Sequence, residues 1–133
     1  MKFVCLGHAD PSLFETLLPA ELSALMEACF AYDDVLRRGG HFVGGEGLQP
    51  PQQAVTLRFQ NGAVTATDGP YIETKEFLGG ILFLEARDMN HAVALMSKHP
   101  GVRFGPWEIR PANEDIAAIN AARDASVRRD GPG

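Results

Sequence analysis

The sequence predicts an α+β domain of ferredoxin-like type, in which two helices pack on one face of a mainly antiparallel sheet. Two observations support this prediction. Apolar residues recur at helical spacing over residues 19–38 and 89–99, and strand-like segments flank both stretches. The hairpin signal Asn61-Gly62 lies between them. The predicted order is therefore strand, helix, strand, β-hairpin, strand, helix, strand and helix.

Length and composition fit one soluble domain. The chain has 133 residues, of which 45 % are hydrophobic and 22 % are charged. The net charge of −5 argues against binding to nucleic acid, because such a surface needs a basic stripe. The apolar N-terminal run stops at His8, too short for a signal peptide, and no run approaches the roughly 18 apolar residues of a membrane span. Two separated cysteines, Cys5 and Cys29, favour reduced thiols and a cytoplasmic location.

The chain begins with a predicted strand over residues 2–6. Asp10-Pro11 then starts a short helical segment over residues 12–18, because Asp caps helices and Pro suits their first turn. A long helix follows over residues 19–38 and ends at Gly39-Gly40. The buried stripe of this helix is predicted to consist of Leu22, Leu25, Met26, Cys29, Phe30 and Leu36.

The middle of the chain carries a glycine-rich strand and the hairpin. Residues 41–48 begin as a strand, and their glycines lack the spacing of a nucleotide-binding motif. Residues 54–60 alternate between apolar and polar side chains, and residues 63–67 form the returning strand. The predicted inward positions of the first hairpin strand are Val55, Leu57 and Phe59.

The second half of the sheet is predicted from an uninterrupted apolar run over residues 79–86, which favours a central strand. Asp88 is predicted to cap a second helix over residues 89–99, and His99 is predicted to interact with the C-terminal end of that helix. Residues 104–110 are predicted to form the last strand. The inward side chains of the second helix are predicted to be Met89, Ala92, Val93 and Met96.

The C-terminal part is predicted to be a third helix, which Asn113 opens and which ends near Arg128-Arg129. We therefore divide the chain into a domain over residues 1–112 and a helical extension with its tail over residues 113–133. The apolar side of this helix is thin, mainly Ile116, Ile119 and alanines. We do not expect it to fold back over the sheet.

Both faces of the predicted sheet are apolar. Phe3 and Cys5 point one way, and Val4 and Leu6 point the other way. The central strand repeats this pattern. Because two helices cover only one face, the other face needs a second cover. We therefore expect a two-fold homodimer with its sheets face to face.

Residues 67–76 form the most polar segment between two apolar strands. They hold three carboxylates and Lys75 behind an Asp-Gly-Pro turn signal. Residues 68–76 read Asp-Gly-Pro-Tyr-Ile-Glu-Thr-Lys-Glu, which resembles the signature Asp-Gly-Pro-Phe-Ala-Glu-Thr-Lys-Glu of the DGPF or YCII-related family. The similarity extends over about residues 1–111. The sequence departs from the signature at two positions. Tyr71 replaces the Phe and adds a hydroxyl, and Ile72 replaces the small Ala and adds bulk.

The resemblance implies a dimeric α+β barrel and leaves the activity open. Some members of the family are attached to, or encoded beside, extracytoplasmic-function sigma factors, which implies such a partner here. Distant relatives with the same barrel include muconolactone isomerase and a dehydrochlorinase of aromatic degradation. Small-molecule acid–base chemistry follows by this analogy alone.

The candidate catalytic residues are Asp68, Glu73 and His8, since carboxylates and imidazole move protons. Asp68 has the alternative of bonding to its own turn, and Glu73 has that of forming a surface pair with Lys75 worth under about 1 kcal/mol. His8 has the alternative of an ordinary hydrogen-bonded strand end. The candidate ligand-binding residues are Glu46, Tyr71, Lys75 and Arg110.

The remaining candidates have structural alternatives as well. Glu46 lies among glycines, where it either faces a cavity or is solvated. Arg110 either anchors an anionic ligand or forms an ion pair in the dimer interface, and the second is favoured. The histidine spacing contains no metal motif, so neither a metal nor a cofactor is expected.

Two functions remain open from the sequence. The first is a small-molecule enzyme of isomerase or lyase type that acts through the candidate residues. The alternative is a non-catalytic dimeric module that binds a ligand or a protein in regulation. An enzyme should hold a cavity lined by at least two of these polar groups, whereas a binding module should expose them or use them in turns and interfaces. A purely structural dimer is the third alternative.

Overall fold

The computed structural model describes residues 1–131. Over this range the chain forms six strands, four α-helices and two short 3₁₀ segments. The strands are β1 (Lys2–Ala9), β2 (Phe42–Gly47), β3 (Val55–Gln60), β4 (Ala63–Asp68), β5 (Phe77–Glu85) and β6 (Trp107–Pro111). The helices are α1 (Pro11–Glu15), α2 (Pro19–Arg38), α3 (Met89–Met96) and α4 (Glu114–Asp130), and the 3₁₀ segments are Pro51–Gln53 and Pro100–Phe104.

Four strands form one antiparallel sheet in the order β2-β5-β1-β6. Helix α2 connects β1 to β2, and α3 connects β5 to β6, which are the crossovers of a ferredoxin-like domain. This arrangement confirms the predicted α+β fold and the internal position of β5. Strands β3 and β4 pair only with each other, as a hairpin inserted between β2 and β5. The barrel implied by the family resemblance stays a prediction, because the sheet of the single chain ends at β2 and β6.

The core lies between the sheet and the helices α2 and α3. Phe3, Cys5, Leu82 and Leu84 point from the two inner strands toward the helices and are almost fully buried. The helices contribute Leu36, Ala92 and Met96. Burial of each large apolar side chain stabilises the fold by about 1.5–3 kcal/mol. Burial also raises the pKa of the Cys5 thiol to about 11, so this thiol stays protonated.

Helix α2 buries only one side chain completely, near its C-terminal end, so the predicted burial of its whole stripe is wrong. Leu36 is buried, whereas Met26 and Phe30 are exposed. The residues of intermediate exposure are Leu22, Leu25 and Cys29. The cause is the position of the packing partners, which lie beside the last turns of the helix. There the Tyr32 hydroxyl donates a hydrogen bond to the Leu95 carbonyl.

Both short helices end earlier than predicted. Helix α1 ends at Glu15 and α3 at Met96. Ala92 and Met96 are buried as predicted, but Met89 and Val93 are exposed. Because α3 has only 8 residues, it buries a single pair of side chains four positions apart, and Leu95 packs partly buried beside them.

His99 does not serve the end of α3, contrary to the prediction. It caps the following 3₁₀ segment, where its Nδ1 accepts the backbone N–H of Gly101 at 2.9 Å. Its Nε2 lies 2.8 Å from Oδ1 of Asp33 on α2. The last strand begins only at Trp107 because the 3₁₀ segment occupies the residues before it.

The predicted turn and cap signals are confirmed. Asn61 and Gly62 have φ values of 52° and 80°, as a type I′ turn requires. The side chains of Asp10, Asp88 and Asn113 each accept a backbone N–H in the first turn of α1, α3 or α4, at 2.8 to 3.1 Å. Each cap satisfies a donor that the helix itself cannot satisfy.

The hairpin turns its apolar face to solvent, so the inward prediction for this strand is wrong. Val55, Leu57 and Phe59 are 59–74 % exposed, and Val64 on the same face of β4 is equally open. The predicted alternation of apolar and polar side chains along β3 is present, and only the direction of its apolar face differs from the prediction. The exposure of these side chains shows that no helix or further strand of the described chain covers the apolar face.

The second face of the four-stranded sheet also lacks cover in the single chain. Val4 and Leu6 of β1 pair with Phe83 and Ile81 of β5, so the four side chains share this face. None of the four is buried, and Phe83 is 37 % exposed. The predicted homodimer would cover this face and stays a prediction.

Helix α4 begins and ends as the capping pattern predicts, and none of its residues is buried. Its apolar side chains Ile116, Ile119 and Val127 are exposed, so the helix does not cover its own sheet. The division into residues 1–112 and 113–133 stays a prediction, and residues 132–133 of the tail lie outside the described range. Across residues 1–131, no helix combines the length and the apolar character needed to cross a membrane.

Candidate functional site

A cleft of about 1250 Å³ lies where the base of the hairpin meets the end of β1 and the start of β5. One wall is residues 48–56, which include the 3₁₀ segment Pro51–Gln53. The facing wall is residues 68–78 without Lys75, and His8 completes the lining. The polar segment identified from the sequence therefore borders this cleft.

The Asp-Gly-Pro part of the segment is held by the hairpin. The Gly69 N–H donates to the Ala54 carbonyl at 2.7 Å, and the Thr56 hydroxyl donates to the Gly69 carbonyl at 2.8 Å. Gly69 has φ 105°, a conformation that disfavours any residue with a Cβ atom. Asp68 is the last residue of β4 and pairs with Val55. Local turn chemistry thus places this carboxylate at the mouth of the cleft.

His8 reaches the cleft because β1 runs past its predicted end. A register shift between Gly7 and His8 interrupts the pairing with β5, and His8 then pairs with Leu78. The His8 N–H donates to the Pro106 carbonyl at 2.9 Å. A Cβ atom on Gly105 would lie 2.2 Å from the His8 carbonyl oxygen. A glycine at position 105 therefore permits the backbone there to approach the backbone of His8 closely.

Asp68, Tyr71 and Glu73 line the cleft with exposed side chains, together with Glu76. The carboxylates of Asp68, Glu73 and Glu76 make no ion pair and accept no hydrogen bond within residues 1–131. The structure therefore brings four of the predicted site residues to one cavity. They are His8, Asp68, Tyr71 and Glu73.

Lys75 points away from the cleft. Its Nζ lies 3.8 Å from Oδ2 of Asp10, and no pair with Glu73 forms in the described chain. Asp10 also accepts hydrogen bonds from the hydroxyl and the N–H of Ser12. These two bonds, followed by the charge of Lys75, lower the pKa of the Asp10 carboxyl. Asp10 therefore both caps α1 and contacts the cleft segment, and its place directly after β1 is the sequence signal for the second role.

Tyr71 is contacted from the hairpin side by Arg58. The guanidinium carbon lies 5.6 Å from the centre of the Tyr71 ring, within the range of a cation–π contact. One guanidinium nitrogen also donates to the Tyr71 carbonyl at 3.5 Å. The segment 68–76 is thus held by Arg58 on one side and by the pair of Lys75 and Asp10 on the other.

Glu46 and Arg110 are not part of the cleft. Glu46 on β2 pairs with Ile81, and Arg110 on β6 pairs with Val4. Both therefore lie at opposite edges of the uncovered sheet face. Arg110 donates to the carboxylate of Glu108 in its own strand. These two predicted ligand-binding residues therefore lie outside the lining of the cleft.

One histidine arrangement lies away from the cleft and was not expected from the sequence. His99 is buried between Asp33 and Gly101 and packs edge-on against Tyr32. Because Nδ1 accepts a backbone N–H, the ring is neutral and Nε2–H donates to Asp33. No group of three or more His, Cys, Asp or Glu side chains within residues 1–131 is arranged to hold a metal ion.

Comparison with known proteins gives one family and one structural likeness of note. Residues 1–114 match the model of the YCII-related domain. No curated protein sequence matches the chain. Among solved structures, the chain is similar to 5-chloro-2-hydroxyhydroquinone dehydrochlorinase (TftG) from Burkholderia phenoliruptrix AC1100, in complex with 2,5-dihydroxybenzoquinone. That likeness has a TM-score of 0.49 and 17 % identity, covering 85 % of this chain and 94 % of that chain. The match over residues 1–114 shows that the chain belongs to the YCII-related domain family.

Proposed function

We propose that this protein binds a small organic molecule in the cleft between residues 48–56 and 68–78, as a homodimer. The observation that carries the proposal is the convergence of His8, Asp68 and Tyr71, together with Glu73, on one cavity of about 1250 Å³. Small-molecule sites are typically concave and combine apolar walls with a few polar groups. This cleft has that composition.

The apolar walls supply the surface for the carbon skeleton of a ligand. They consist of Leu48, Val55, Tyr71, Ile72, Phe77 and Leu78 with three prolines. Several of these side chains are exposed in the single chain, among them Tyr71 and Ile72. A bound molecule that covers them removes apolar surface from water, at about 25 cal/mol per Å². The polar groups at the mouth then orient the molecule.

Acid–base chemistry of isomerase or lyase type is the catalytic form of this proposal. His8 is its proton carrier, since imidazole changes charge near neutral pH, and Asp68 and Glu73 are its carboxylates. The alternative is a binding module without chemistry. The exposure of both carboxylates favours this alternative, because general bases usually lie in water-poor surroundings. An association with a sigma factor rests on the family resemblance alone.

The homodimer follows from the uncovered sheet face. Its centre is apolar, with Val4 and Phe83 in one row, and its edges carry Glu46 on β2 and Arg110 on β6. A two-fold axis along the strands sets β2 of one protomer against β6 of its partner. Glu46 of one copy then faces the β6 edge of its partner, where Arg110 exchanges its own-strand partner Glu108 for Glu46 to form the interface ion pair.

The binding proposal is tested by a fragment screen with amide NMR spectra of the whole protein. Fragments should shift the resonances of residues 48–56 and 68–78 and leave those of α4 unchanged. The variant Tyr71→Ala, exposed and outside the core, should weaken the fragments by about threefold to tenfold through lost apolar contact. Ile119→Ala on α4 is the matched control. A screen in which no fragment shifts the cleft at millimolar concentration would overturn the proposal.

A further inference from the structure

We infer that the ligand of this cleft is an organic cation with an apolar body, such as a protonated amine or a guanidine. The inference rests on the proposed binding function and adds the chemical class of the ligand. Its basis is the lining of the cavity, which includes three carboxylates and neither a lysine nor an arginine. The carboxylates are Asp68, Glu73 and Glu76.

The cations nearest in sequence and space are directed elsewhere. Lys75 lies within the polar segment, yet its Nζ lies 3.8 Å from Asp10 and outside the cleft. Arg58 contacts the ring and the carbonyl of Tyr71 and does not line the cavity. Among the described residues, the lining of the cleft therefore contains no lysine or arginine to pair with its three carboxylates, and His8 is its one basic side chain.

The three carboxylates outnumber the one basic side chain of the lining, so the lining carries a net negative charge. Like charges along one concave wall add their potentials, and the low-dielectric walls of a cleft focus the field toward its mouth. An anionic ligand is repelled by this field, whereas a cation is attracted and gains charge-assisted hydrogen bonds from the carboxylates. The same charges disfavour the acidic substrates that a basic pocket would select.

A metal ion does not fit the same lining. The carboxylates of the cleft do not gather into a group of three that could hold an ion. The cavity of about 1250 Å³ is also far larger than one ion, and several of its wall side chains are apolar, including Leu48 and Phe77. Spread carboxylates beside apolar walls suit a cation whose charge is carried on an organic skeleton. The side-chain amides of Gln49, Gln52 and Gln53 add acceptors for its N–H groups.

The test compares three ligands that share one ring system and differ in charge: tryptamine, tryptophol and indole-3-propionate. Dissociation constants are measured from the amide shifts of residues 48–56 and 68–78. At low salt we expect tryptamine to bind about tenfold or more tightly than indole-3-propionate, with tryptophol between them. At about 0.5 M salt the ratio should fall to a few-fold, because screening acts on these exposed charges.

Two matched triple variants separate local charge from net charge. Asp68→Asn, Glu73→Gln and Glu76→Gln together should bring the three ligands to within about twofold of one another. Asp124→Asn, Glu15→Gln and Glu27→Gln remove the same charge at exposed positions outside the cleft, and should leave the ratio unchanged.

The outcomes distinguish this inference from the proposed function. Equal or tighter binding of indole-3-propionate at the cleft overturns the cation preference and leaves small-molecule binding intact. A preference that falls equally in both triple variants also overturns it, because net charge then explains the effect. If none of the ligands and none of the screened fragments shifts the cleft, the proposed function fails and the cation preference fails with it.

Discussion

The four-stranded sheet and the hairpin each present an apolar row of side chains on one face, but only the row of the sheet is covered. Phe3 and Leu84 of the sheet are completely buried beneath α2 and α3, whereas Leu57 and Phe59 of the hairpin are exposed. The sheet strands are flanked in the chain by helices that fold back over them, and the hairpin strands have only each other. Alternation therefore defines which side chains share a face and does not determine whether that face is covered.

The hairpin face is larger than the scattered apolar residues that any protein surface carries. Val55, Leu57 and Phe59 form a continuous row with Val64 beside them. Such contiguous apolar patches mark sites of interaction or of ligand binding. Val55 also lines the cleft, so the patch and the cavity are continuous.

The sharpest test of this comparison is a pair of matched phenylalanine variants. Phe3→Ala should lower the free energy of unfolding by about 3–5 kcal/mol, because it leaves a cavity in the core. Phe59→Ala should lower it by less than about 1 kcal/mol, because the ring is mostly in water. Urea denaturation measures both. Equal losses would show that the hairpin face is covered in the assembled protein, and the contrast between the regions would then disappear.

The uncovered sheet face is tested by a charge at its centre. Phe83→Asp should weaken self-association by about 10²-fold or more, because a dimer interface there would bury an unpaired carboxylate. Sedimentation at micromolar concentration measures the change. Val127→Asp on α4 introduces the same charge at another exposed apolar position and should leave association unchanged. A wild-type chain that sediments as a monomer contradicts the proposed dimer.

The smallest expected effect concerns Asp10, which links the end of β1 to the cleft segment. Its pKa lies below the ordinary value of 3.8, mainly because Ser12 donates two hydrogen bonds to it. The ionised form is therefore favoured in the folded state. The resulting stability is present above about pH 4 and is lost as pH falls through the lowered folded pKa.

Asp10→Asn should accordingly lower Tm by at most about 5 °C at neutral pH, and the difference should shrink as the solution is acidified. Lys75→Met should have a smaller effect, since the lysine contributes less to the shift than Ser12 does. Thermal melts over a pH series measure both variants. A difference that grows on acidification would reverse the sign of the assigned shift.

The cleft could be predicted only in part from the sequence. The polar segment 68–76 was recognisable because its turn residues and carboxylates are adjacent in sequence. Its facing wall, residues 48–56, comes from the far side of the hairpin, and no local pattern joins the two. Glu46 was expected in the cleft, yet the register of β2 against β5 puts it on the open sheet face. Lys75 was expected among the ligand contacts and instead reaches Asp10.

The sequence by itself determined the features that depend on a few neighbouring residues. The turn at Asn61-Gly62, the caps at Asp88 and Asn113, and the order of strands and helices belong to this class, because backbone propensity and side-chain hydrogen bonds act within one turn. The tertiary structure decided which apolar faces are covered and which polar groups meet. Burial and cavity walls arise between elements that are distant in the chain, and their packing depends on crossovers and register rather than on local pattern.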